Sequence, residues 1–453
     1  MDVFKIVGGR KLEGTVKVSG SKNAALPMMA ATLLTSDEVV LKNIPDLSDL
    51  KYMAKILVQM GASVDATQKE ILKVRAKKVA TTAPYDMVRK MRASVCLMGP
   101  LVGRMGKAIV SMPGGCAIGP RPIDLHMKGF AKMGCEVKLE GGYVHIDGSK
   151  RKGRDIFLGG RHGSTVTGTA NVLMAATLTQ GVTQIQCAAC EPEIDALANM
   201  LNAMGAQVEG IGSPTLTITG VKKLHGCEVS VIPDRIEAGT LLMAGVIAGG
   251  KVTVEGLEPR HLGALWDKFD EMGVAYAIDG KNATVDGNAK RKPTDIITLP
   301  YPAFPTDLQA QMLAVLTLTE GISVVTERIY PNRFLHVPEL QRMGADVAME
   351  GATAIVKGVK GLSGAPLMAS DLRASAALVL AGLAAKGTTW VQRIYHLDRG
   401  YDRLENKLRA LGADIIRMSA DDMPKETLGD DELVAEVKVD KVSVVDKKSA
   451  VHA

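Results

Sequence analysis

Several absences narrow the functions open to this 453-residue sequence. Aromatic residues make up only 4% of it, too few for the stacking platforms that bind single-stranded nucleic acids. The 55 basic and 49 acidic residues leave a net charge of +6, and no block of Lys and Arg forms a nucleic-acid-binding arm. No apolar run reaches the ~20 residues needed to span a bilayer, and the N-terminus lacks the apolar segment of a signal peptide. We therefore expect no nucleic-acid partner, no membrane insertion and a cytoplasmic location.

Familiar cofactor motifs are also missing. The six cysteines suit a reducing compartment, and the one close pair, Cys187 and Cys190, lacks the second pair that a zinc site needs. There is no Walker loop, no G-x-G-x-x-G after a first strand and no HExxH, and the eight histidines are scattered. Nucleotide hydrolysis, dinucleotide redox chemistry and zinc catalysis are thus unsupported, and we predict neither a metal nor an organic cofactor.

An internal repeat organises the chain. A helical run that ends in Met-Gly or Leu-Gly and leads into an alternating strand occurs six times, at intervals of about 70 residues. Its glycines are Gly61, Gly134, Gly205, Gly273, Gly344 and Gly412. Each is placed where a helix must stop, a position that favours a left-handed backbone and therefore glycine. Each unit is predicted to alternate helix and strand.

A second helix in each unit is apolar on nearly all sides, as in 308–317 and 374–383. Such helices are buried, which predicts helices inside and sheets outside. Six units exceed the size of one comfortable core, so two domains of three units each are expected. The charged segment 419–453 falls outside the repeat and is predicted to be a disordered appendage, with a strand over 434–445 as the alternative.

The most unusual segment is 113–126, in which three Gly and three Pro surround Cys116 and Arg121. It must be a loop of defined shape. A thiol beside a guanidinium has the electropositive setting of a reactive cysteine, whereas Cys96 and Cys135 lie in apolar helical contexts and are expected to be inert.

Other charged residues stand at predicted helix starts. Lys22 and Asn23 precede an apolar helix, where they could bind an anion or serve only as part of the helix cap. Asp307 lies at the mouth of a buried helix, as a charge partner of its dipole or as a base in a cleft. Four arginines sit at helix starts or connections, where each alone could form a surface ion pair or together an anion trap: Arg92, Arg333, Arg373 and Arg399.

Five segments, in this order, resemble the enolpyruvyl transferase family, in particular its UDP-N-acetylglucosamine 1-carboxyvinyltransferases. They are SGSKNAALP (19–27), PGGCAIGPR (113–121), FPTDLQAQ (304–311), NRFLHVPE (332–339) and YHLDRGY (395–401). The resemblance covers about residues 1–417. It implies an α/β fold of two inside-out α/β barrel domains with three repeats each. The first domain, 22–231, is inserted into a second made of 1–21 and 232–418.

The resemblance also implies the reaction. Enolpyruvate moves from phosphoenolpyruvate to the 3-hydroxyl of UDP-N-acetylglucosamine with release of phosphate, the first committed step of peptidoglycan synthesis. Cys116 would be the proton donor and the target of epoxides such as fosfomycin, Asp307 the base, and Lys22 and Arg399 further catalytic residues. Phosphoenolpyruvate would be bound by Lys22, Asn23, Arg121, Arg333, Arg373 and Arg399. The sugar nucleotide would be bound by Asn23, Arg92, Arg121, Pro122, Ile123, Asp124, Leu125, Thr165, Val166, Thr167, Asp307 and Ile329. A monomer is expected.

The sequence departs from the family pattern at 165–169, which reads TVTGT in place of the usual form, and at Tyr330, where Phe is common. The first departure bears on contacts to the diphosphate. Two alternatives are the sister transferase that acts on shikimate 3-phosphate, which lacks the cysteine loop, and a non-catalytic protein that binds a sugar nucleotide on the same fold.

Overall fold

A computed structural model describes residues 2–83, 85, 91–112 and 123–423, with the side chains of 92 and 93 excluded. Up to residue 230 it contains β1 (Asp2–Val7), β2 (Gly14–Lys17), α1 (Lys22–Ala31), β3 (Glu38–Lys42), α2 (Ser48–Gln59), β4 (Ser63–Asp65), β5 (Ile71–Arg75), α3 (Met98–Met105), β6 (Lys107–Ser111), α4 (Asp124–Lys132), β7 (Glu136–Glu140), β8 (Tyr143–Asp147), β9 (Asp155–Phe157), α5 (Val166–Thr177), β10 (Val182–Gln186), α6 (Pro192–Ala203), β11 (Gln207–Glu209), β12 (Thr215–Thr219) and β13 (Glu228–Ser230).

The remainder contains α7 (Arg235–Ala248), β14 (Lys251–Glu255), α8 (Gly263–Met272), β15 (Ala275–Asp279), β16 (Asn282–Asp286), β17 (Ile296–Thr298), α9 (Thr306–Leu316), β18 (Ile322–Glu327), α10 (Val337–Arg342), β19 (Asp346–Glu350), β20 (Thr353–Lys357), β21 (Pro366–Met368), α11 (Leu372–Ala384), β22 (Thr388–Gln392), α12 (Leu404–Ala410) and β23 (Asp414–Ser419). Short 3-10 helices span Thr32–Leu34, Arg92–Leu97, Pro259–Leu262, Ile394–Arg399 and Ala420–Asp422. Among these described helices, none combines the length and the apolar character needed to cross a membrane.

The strands form six sheets with one recurring pattern in the described residues. Five have a parallel pair followed by two antiparallel neighbours, as in β13-β3-β5-β4. The sixth, β6-β8-β7, keeps the antiparallel part, and a parallel bridge between Thr82 and Ile109 stands where the others have a strand. The predicted sixfold repeat is therefore visible as six equivalent sheets.

The six repeat glycines explain how each unit turns from helix to strand. All six have a positive φ, between +71° and +99°. This left-handed conformation strains any side chain with a Cβ atom, so the helix ends there and the chain enters the next strand. The prediction made from the sequence is confirmed.

Buried hydrophobic residues form two separate clusters. The N-terminal core comprises buried residues from 24 to 231, and the C-terminal core comprises those from 4 to 18 and from 236 to 415. In the C-terminal core α7, α9 and α11 pack against one another, and residues 373–383 of α11 are all buried. In the N-terminal core α1, α3 and α5 occupy the equivalent positions. These six inner helices are largely apolar because neighbours or sheets cover most of their faces, although α3 carries Arg104 in its last turn.

The first strand of the chain belongs to the last sheet. β1 pairs with both β22 and β23, so that Phe4 lies opposite Val391 and Arg417. β23 continues through Ser419, which pairs with Asp2, and so contains the first residue of the segment assigned to the tail. The predicted strand over 434–445 lies outside the described residues.

Candidate active site

The inner helices of the two cores bring N-terminal ends together, and several polar residues of the site lie on these ends. Lys22 and Asn23 are the first two residues of α1 rather than residues that precede it, and Ser21 caps the helix by accepting a hydrogen bond from the Ala24 N–H. Asp371 caps α11 by accepting from the N–H groups of Arg373 and Ala374. Because the rest of each of these helices is buried and mostly apolar, the charged side chains Lys22, Asp307 and Arg373 all lie in a first turn.

Asp307, in the first turn of α9, is the centre of the site. Its Oδ1 lies 2.8 Å from Nη1 of Arg333, and its Oδ2 lies 3.0 Å from Nη2 of Arg373. Asn23 of the N-terminal core donates from Nδ2 to the same Oδ2 over 3.4 Å. The two arginine residues are 4% and 1% exposed, so they are not the surface ion pairs that the sequence left open. The structure places four predicted site residues in direct contact.

The charges around Asp307 decide its protonation. Burial acts to raise the pKa of this carboxyl, but the cations of Arg373, Arg333 and Lys22 outweigh it and hold the pKa well below the usual range. Asp307 is therefore ionised, and it is a poor base for as long as these cations are fully committed to it.

A second carboxylate, Asp49 on α2, organises the remaining cations. Its Oδ1 accepts a hydrogen bond from Nε of Arg399 over 3.0 Å, and its Oδ2 lies 3.6 Å from Nζ of Lys22. Burial lowers the pKa of Lys22, as do the nearby Arg373 and Arg399, against the opposing effect of Asp49 and Asp307. Sequence reasoning missed Asp49, since an acidic residue in a first turn is an ordinary helix feature.

The ring of Tyr401 contacts the guanidinium of Arg373. The guanidinium carbon lies 5.1 Å from the centre of the Tyr401 ring, within the range of a cation–π contact. The Tyr401 hydroxyl is 2.9 Å from Oγ1 of Thr240 on α7 and accepts from Gln311 of α9 over 3.1 Å. One buried network thus links the three inner helices of the C-terminal core to the site.

The residues predicted for the diphosphate lie at the starts of α4 and α5. Thr165 caps α5 by accepting from the Gly168 N–H over 3.2 Å, and the Thr167 hydroxyl is 2.9 Å from Nε2 of His126 on α4. Ile123, Asp124 and Leu125 form the entry to α4, and Val166 is the first residue of α5. The altered 165–169 segment therefore still forms a capped helix start.

Ile329 lies in the turn after β18, where its N–H donates to Glu327 over 2.7 Å. His162 bonds through Nδ1 to the Arg328 carbonyl oxygen over 3.0 Å, which joins this turn to the N-terminal core. The remaining predicted residues cannot be located: Cys116, Arg121, Pro122 and the side chain of Arg92 lie outside the described residues.

The two cysteines expected to be inert are both buried. Burial raises the pKa of Cys96 to about 12 and that of Cys135 to about 11, so neither forms a thiolate readily, in agreement with the sequence prediction. Within the ranges that the structure covers, no three His, Cys, Asp or Glu side chains are grouped to hold a metal ion.

Comparison with known proteins gives the family. The model of the family EPSP synthase (3-phosphoshikimate 1-carboxyvinyltransferase) matches residues 6–408. The UDP-N-acetylglucosamine 1-carboxyvinyltransferase of Magnetococcus marinus is 52% identical over 422 residues, which cover 92% of this chain and 100% of the relative. The enzyme of the same name from Methylacidiphilum infernorum is 49% identical over 418 residues, with 92% and 99% covered.

Solved structures of enolpyruvyl transferases share the fold of this chain. The enolpyruvyl transferase NikO from Streptomyces tendae is 27% identical, with a TM-score of 0.83 over 92% of this chain and 99% of that one. EPSP synthase from Acinetobacter baumannii, at 19% identity and a TM-score of 0.71 over 92% of this chain and 100% of that one, shares the fold. The chain therefore belongs to the EPSP synthase family of enolpyruvyl transferases, and within it to the UDP-N-acetylglucosamine 1-carboxyvinyltransferases.

Proposed function

We propose that this enzyme transfers the enolpyruvyl group of phosphoenolpyruvate to the 3-hydroxyl of UDP-N-acetylglucosamine and releases phosphate. The observation that carries the proposal is the pairing of two buried and two partly buried cations with carboxylates at the meeting of the two cores. Arg333 and Arg373 share Asp307, and Lys22 and Arg399 share Asp49. Four cations this close together are suited to bind a small ligand that carries several negative charges. Relatives of about half identity have this activity in their names.

Phosphoenolpyruvate brings a phosphate and a carboxylate to this cluster. Lys22, Arg121 and Arg399 are proposed to hold these groups by charge-assisted hydrogen bonds, with Asn23 beside them. Arg333 and Arg373 would stabilise the adduct that forms during the reaction, because they are already fixed in place and need no reorganisation.

The sugar nucleotide is proposed to lie between the start of α5 and Asp307. Asn23 and Asp307 would contact the sugar, and the free N–H groups at the starts of α4 and α5 suit the diphosphate. The proposed contacts are Asn23, Arg92, Arg121, Pro122, Ile123, Asp124, Leu125, Thr165, Val166, Thr167, Asp307 and Ile329.

The reaction then proceeds by addition and elimination. Cys116 is proposed to donate a proton to the methylene carbon while the sugar 3-hydroxyl adds to the neighbouring carbon and passes its proton to Asp307. The adduct next returns a proton from the new methyl group to the thiolate that the first step left on Cys116. Its carbon–oxygen bond to phosphate breaks, the phosphate leaves with the bonding electrons, and the double bond is restored. The product is the enolpyruvyl ether that begins peptidoglycan synthesis.

Binding of phosphoenolpyruvate is expected to activate Asp307. The anionic substrate supplies negative charge to Lys22 and to the arginine residues that hold the pKa of Asp307 low. As these cations are neutralised, the pKa of Asp307 rises and the carboxylate becomes a better base. The base would thus gain strength only when phosphoenolpyruvate is bound.

We also infer the domain boundaries 22–231 and 1–21 with 232–418, followed by the tail 419–453. The two separate buried clusters and the position of β1 in the last sheet support this division. A cytoplasmic location and a monomeric state are part of the proposal, to be tested by cell fractionation and by light scattering.

The test is phosphate release from phosphoenolpyruvate, measured with and without UDP-N-acetylglucosamine and with shikimate 3-phosphate as the alternative acceptor. We expect release only with the sugar nucleotide, no turnover by a Cys116→Ala variant, and normal turnover by the matched Cys135→Ala variant. Release with shikimate 3-phosphate as the acceptor, but not with UDP-N-acetylglucosamine, would show that the enzyme catalyses the sister reaction. Binding of the sugar nucleotide without any release would indicate the non-catalytic alternative.

A further inference from the structure

A buried carboxylate that the reaction does not use lies behind Asp307. Glu327, the last residue of β18, is 1% exposed. Its Oε1 accepts hydrogen bonds from the Thr298 hydroxyl over 2.6 Å and from the N–H groups of Ile329 and Tyr330 over 2.7 and 2.9 Å. Its Oε2 accepts from the Thr306 hydroxyl over 2.8 Å. Each of these four contacts brings a donor to the Glu327 carboxyl.

Thr306 connects this carboxylate to the site. Its Oγ1 accepts a hydrogen bond from Nη1 of Arg333 over 3.0 Å, and the same Nη1 lies 2.8 Å from Oδ1 of Asp307. A guanidinium can only donate, so the Thr306 oxygen accepts from Arg333 and the hydroxyl proton is left for Glu327. The Thr306 hydroxyl therefore bridges the guanidinium of Arg333 and the carboxyl of Glu327.

Arg333 has few other restraints. Its Nε has no hydrogen-bond partner among the described residues, and its contacts there are Thr306, Asp307 and the Tyr330 ring, whose centre is 5.8 Å away. Loss of the Thr306 hydroxyl would remove one of the two hydrogen bonds that the structure gives this guanidinium. The orientation of Arg333 against Asp307 thus depends on the Thr306 hydroxyl.

We propose that Thr306 and Glu327 are positioning residues of the reaction, which act by holding Arg333 against Asp307. The assignment rests on the proposed function, in which Asp307 is the base and Arg333 supports the adduct. A misplaced guanidinium affects the transition state more than the bound substrates, so kcat should change and KM should not.

The experiment compares Thr306→Val, which keeps the shape of the side chain but removes the hydroxyl, with Thr306→Ser, which retains it. We expect kcat of Thr306→Val to fall roughly 10- to 100-fold with KM nearly unchanged, and Thr306→Ser to recover most of the loss. The matched control is Thr326→Val, which removes a hydroxyl from the same strand as Glu327, where it pairs with Thr353 away from the site.

A double-mutant cycle separates positioning from general damage. In an Arg333→Ala background, Thr306→Val should cost almost nothing further, because its partner is already gone. Full additivity of the two losses, or a Thr306→Val enzyme with wild-type kcat, would overturn the assignment. If the wild type itself fails to turn over, the proposed function is wrong. The same cycle measured by urea unfolding then decides the positioning role, which requires coupling between Thr306 and Arg333 and none between Thr326 and Arg333.

Discussion

The two cores share one architecture but differ at the ends of their inner helices. In the N-terminal core, α1 and α5 are capped by the hydroxyls of Ser21 and Thr165, and neither helix has an acidic residue in its first turn. In the C-terminal core, Asp234 and Asp371 cap α7 and α11, and Asp307 lies in the first turn of α9. The ends of α1 and α5 are thus neutral or basic, whereas the ends of α7, α9 and α11 carry four carboxylates, the fourth being Glu237 in the first turn of α7.

This difference indicates how a repeated fold acquires two roles. A helix N-terminus without its own carboxylate keeps its dipole and N–H groups available for an anionic ligand. A carboxylate at the same position neutralises the dipole and draws arginine partners to it, as Asp307 does with Arg333 and Arg373. Under the proposed function, the N-terminal core presents helix ends suited to phosphate groups, whereas the C-terminal core presents the carboxylate proposed as the base.

The largest effect is expected from removing that carboxylate. Asp307→Asn should reduce turnover by about 10²- to 10⁴-fold, because it removes the proposed base and leaves Arg333 and Arg373 without their anionic partner. Steady-state kinetics with both substrates would measure the loss. Asp295→Asn is the control, since its carboxylate is exposed and accepts only from the Val324 N–H. Equal activities of the two variants would remove Asp307 from the mechanism.

The next effect concerns the ion pair that joins the cores at the start of α7. Arg235 donates from Nε and Nη2 to the two carboxylate oxygens of Glu193 over 3.1 and 3.3 Å, with side chains only 9% and 4% exposed. Glu193→Gln should lower the free energy of unfolding by about 3–5 kcal/mol, because it leaves a buried guanidinium without its anion.

Urea unfolding would measure this change, with Glu320→Gln as the control, because its pair with Lys290 is exposed. The double variant Glu193→Leu with Arg235→Met should regain most of the lost stability. A Glu193→Gln protein as stable as the control would show that the two cores do not depend on this pair.

The smallest effect is a pH dependence that belongs to the N-terminal core. Burial lowers the pKa of His126 to about 4, despite the opposing charge of Asp124. In the unfolded chain this histidine has an ordinary pKa of about 6.5 and becomes protonated as the pH falls below that value. In the folded protein it stays neutral until the pH approaches about 4. The free energy of unfolding therefore falls as the pH is lowered through this range. The shift corresponds to a loss on the order of 3 kcal/mol.

His126→Gln, which can still bond to Thr167, should flatten this part of the stability curve. The exchange His145→Gln, on β8 of the same core, should leave it unchanged. Unfolding by urea at pH 7, 5.5 and 4.5 would test both variants. A curve for His126→Gln that stays parallel to that of the wild type would exclude the buried imidazole as the cause.

Much of the fold could be predicted from the sequence because its signals are local. The six glycines report a backbone conformation that each residue adopts by itself, and the apolar character of α9 and α11 reports burial regardless of what covers them. Lys22, Asp307 and Arg373 were singled out for the same reason, since a charged residue at the start of an apolar helix is visible in a few consecutive positions.

The partners of these residues could not be predicted in this way. Asp49 meets Arg399 across 350 positions of the chain, and Asn23 meets Asp307 across 284. Nothing near Asp49 or Glu327 in the sequence distinguishes them from an ordinary helix or strand residue. The contact of Asp49 with Arg399 exists only once the two cores are in place. The contacts of Glu327 with Thr298 and Thr306 exist only once the C-terminal core has folded.

The sequence by itself determined the sixfold repeat, the inner helices and the positions at which polar chemistry is possible. The tertiary structure decided which cations share which carboxylate, and hence that Asp307 is ionised and held by two buried arginine residues. The physical reason is the distance along the chain over which each interaction acts. Helix termination and burial of apolar faces are governed by neighbouring residues, whereas an ion pair requires atoms within about 4 Å, and only the folded topology brings distant segments that close.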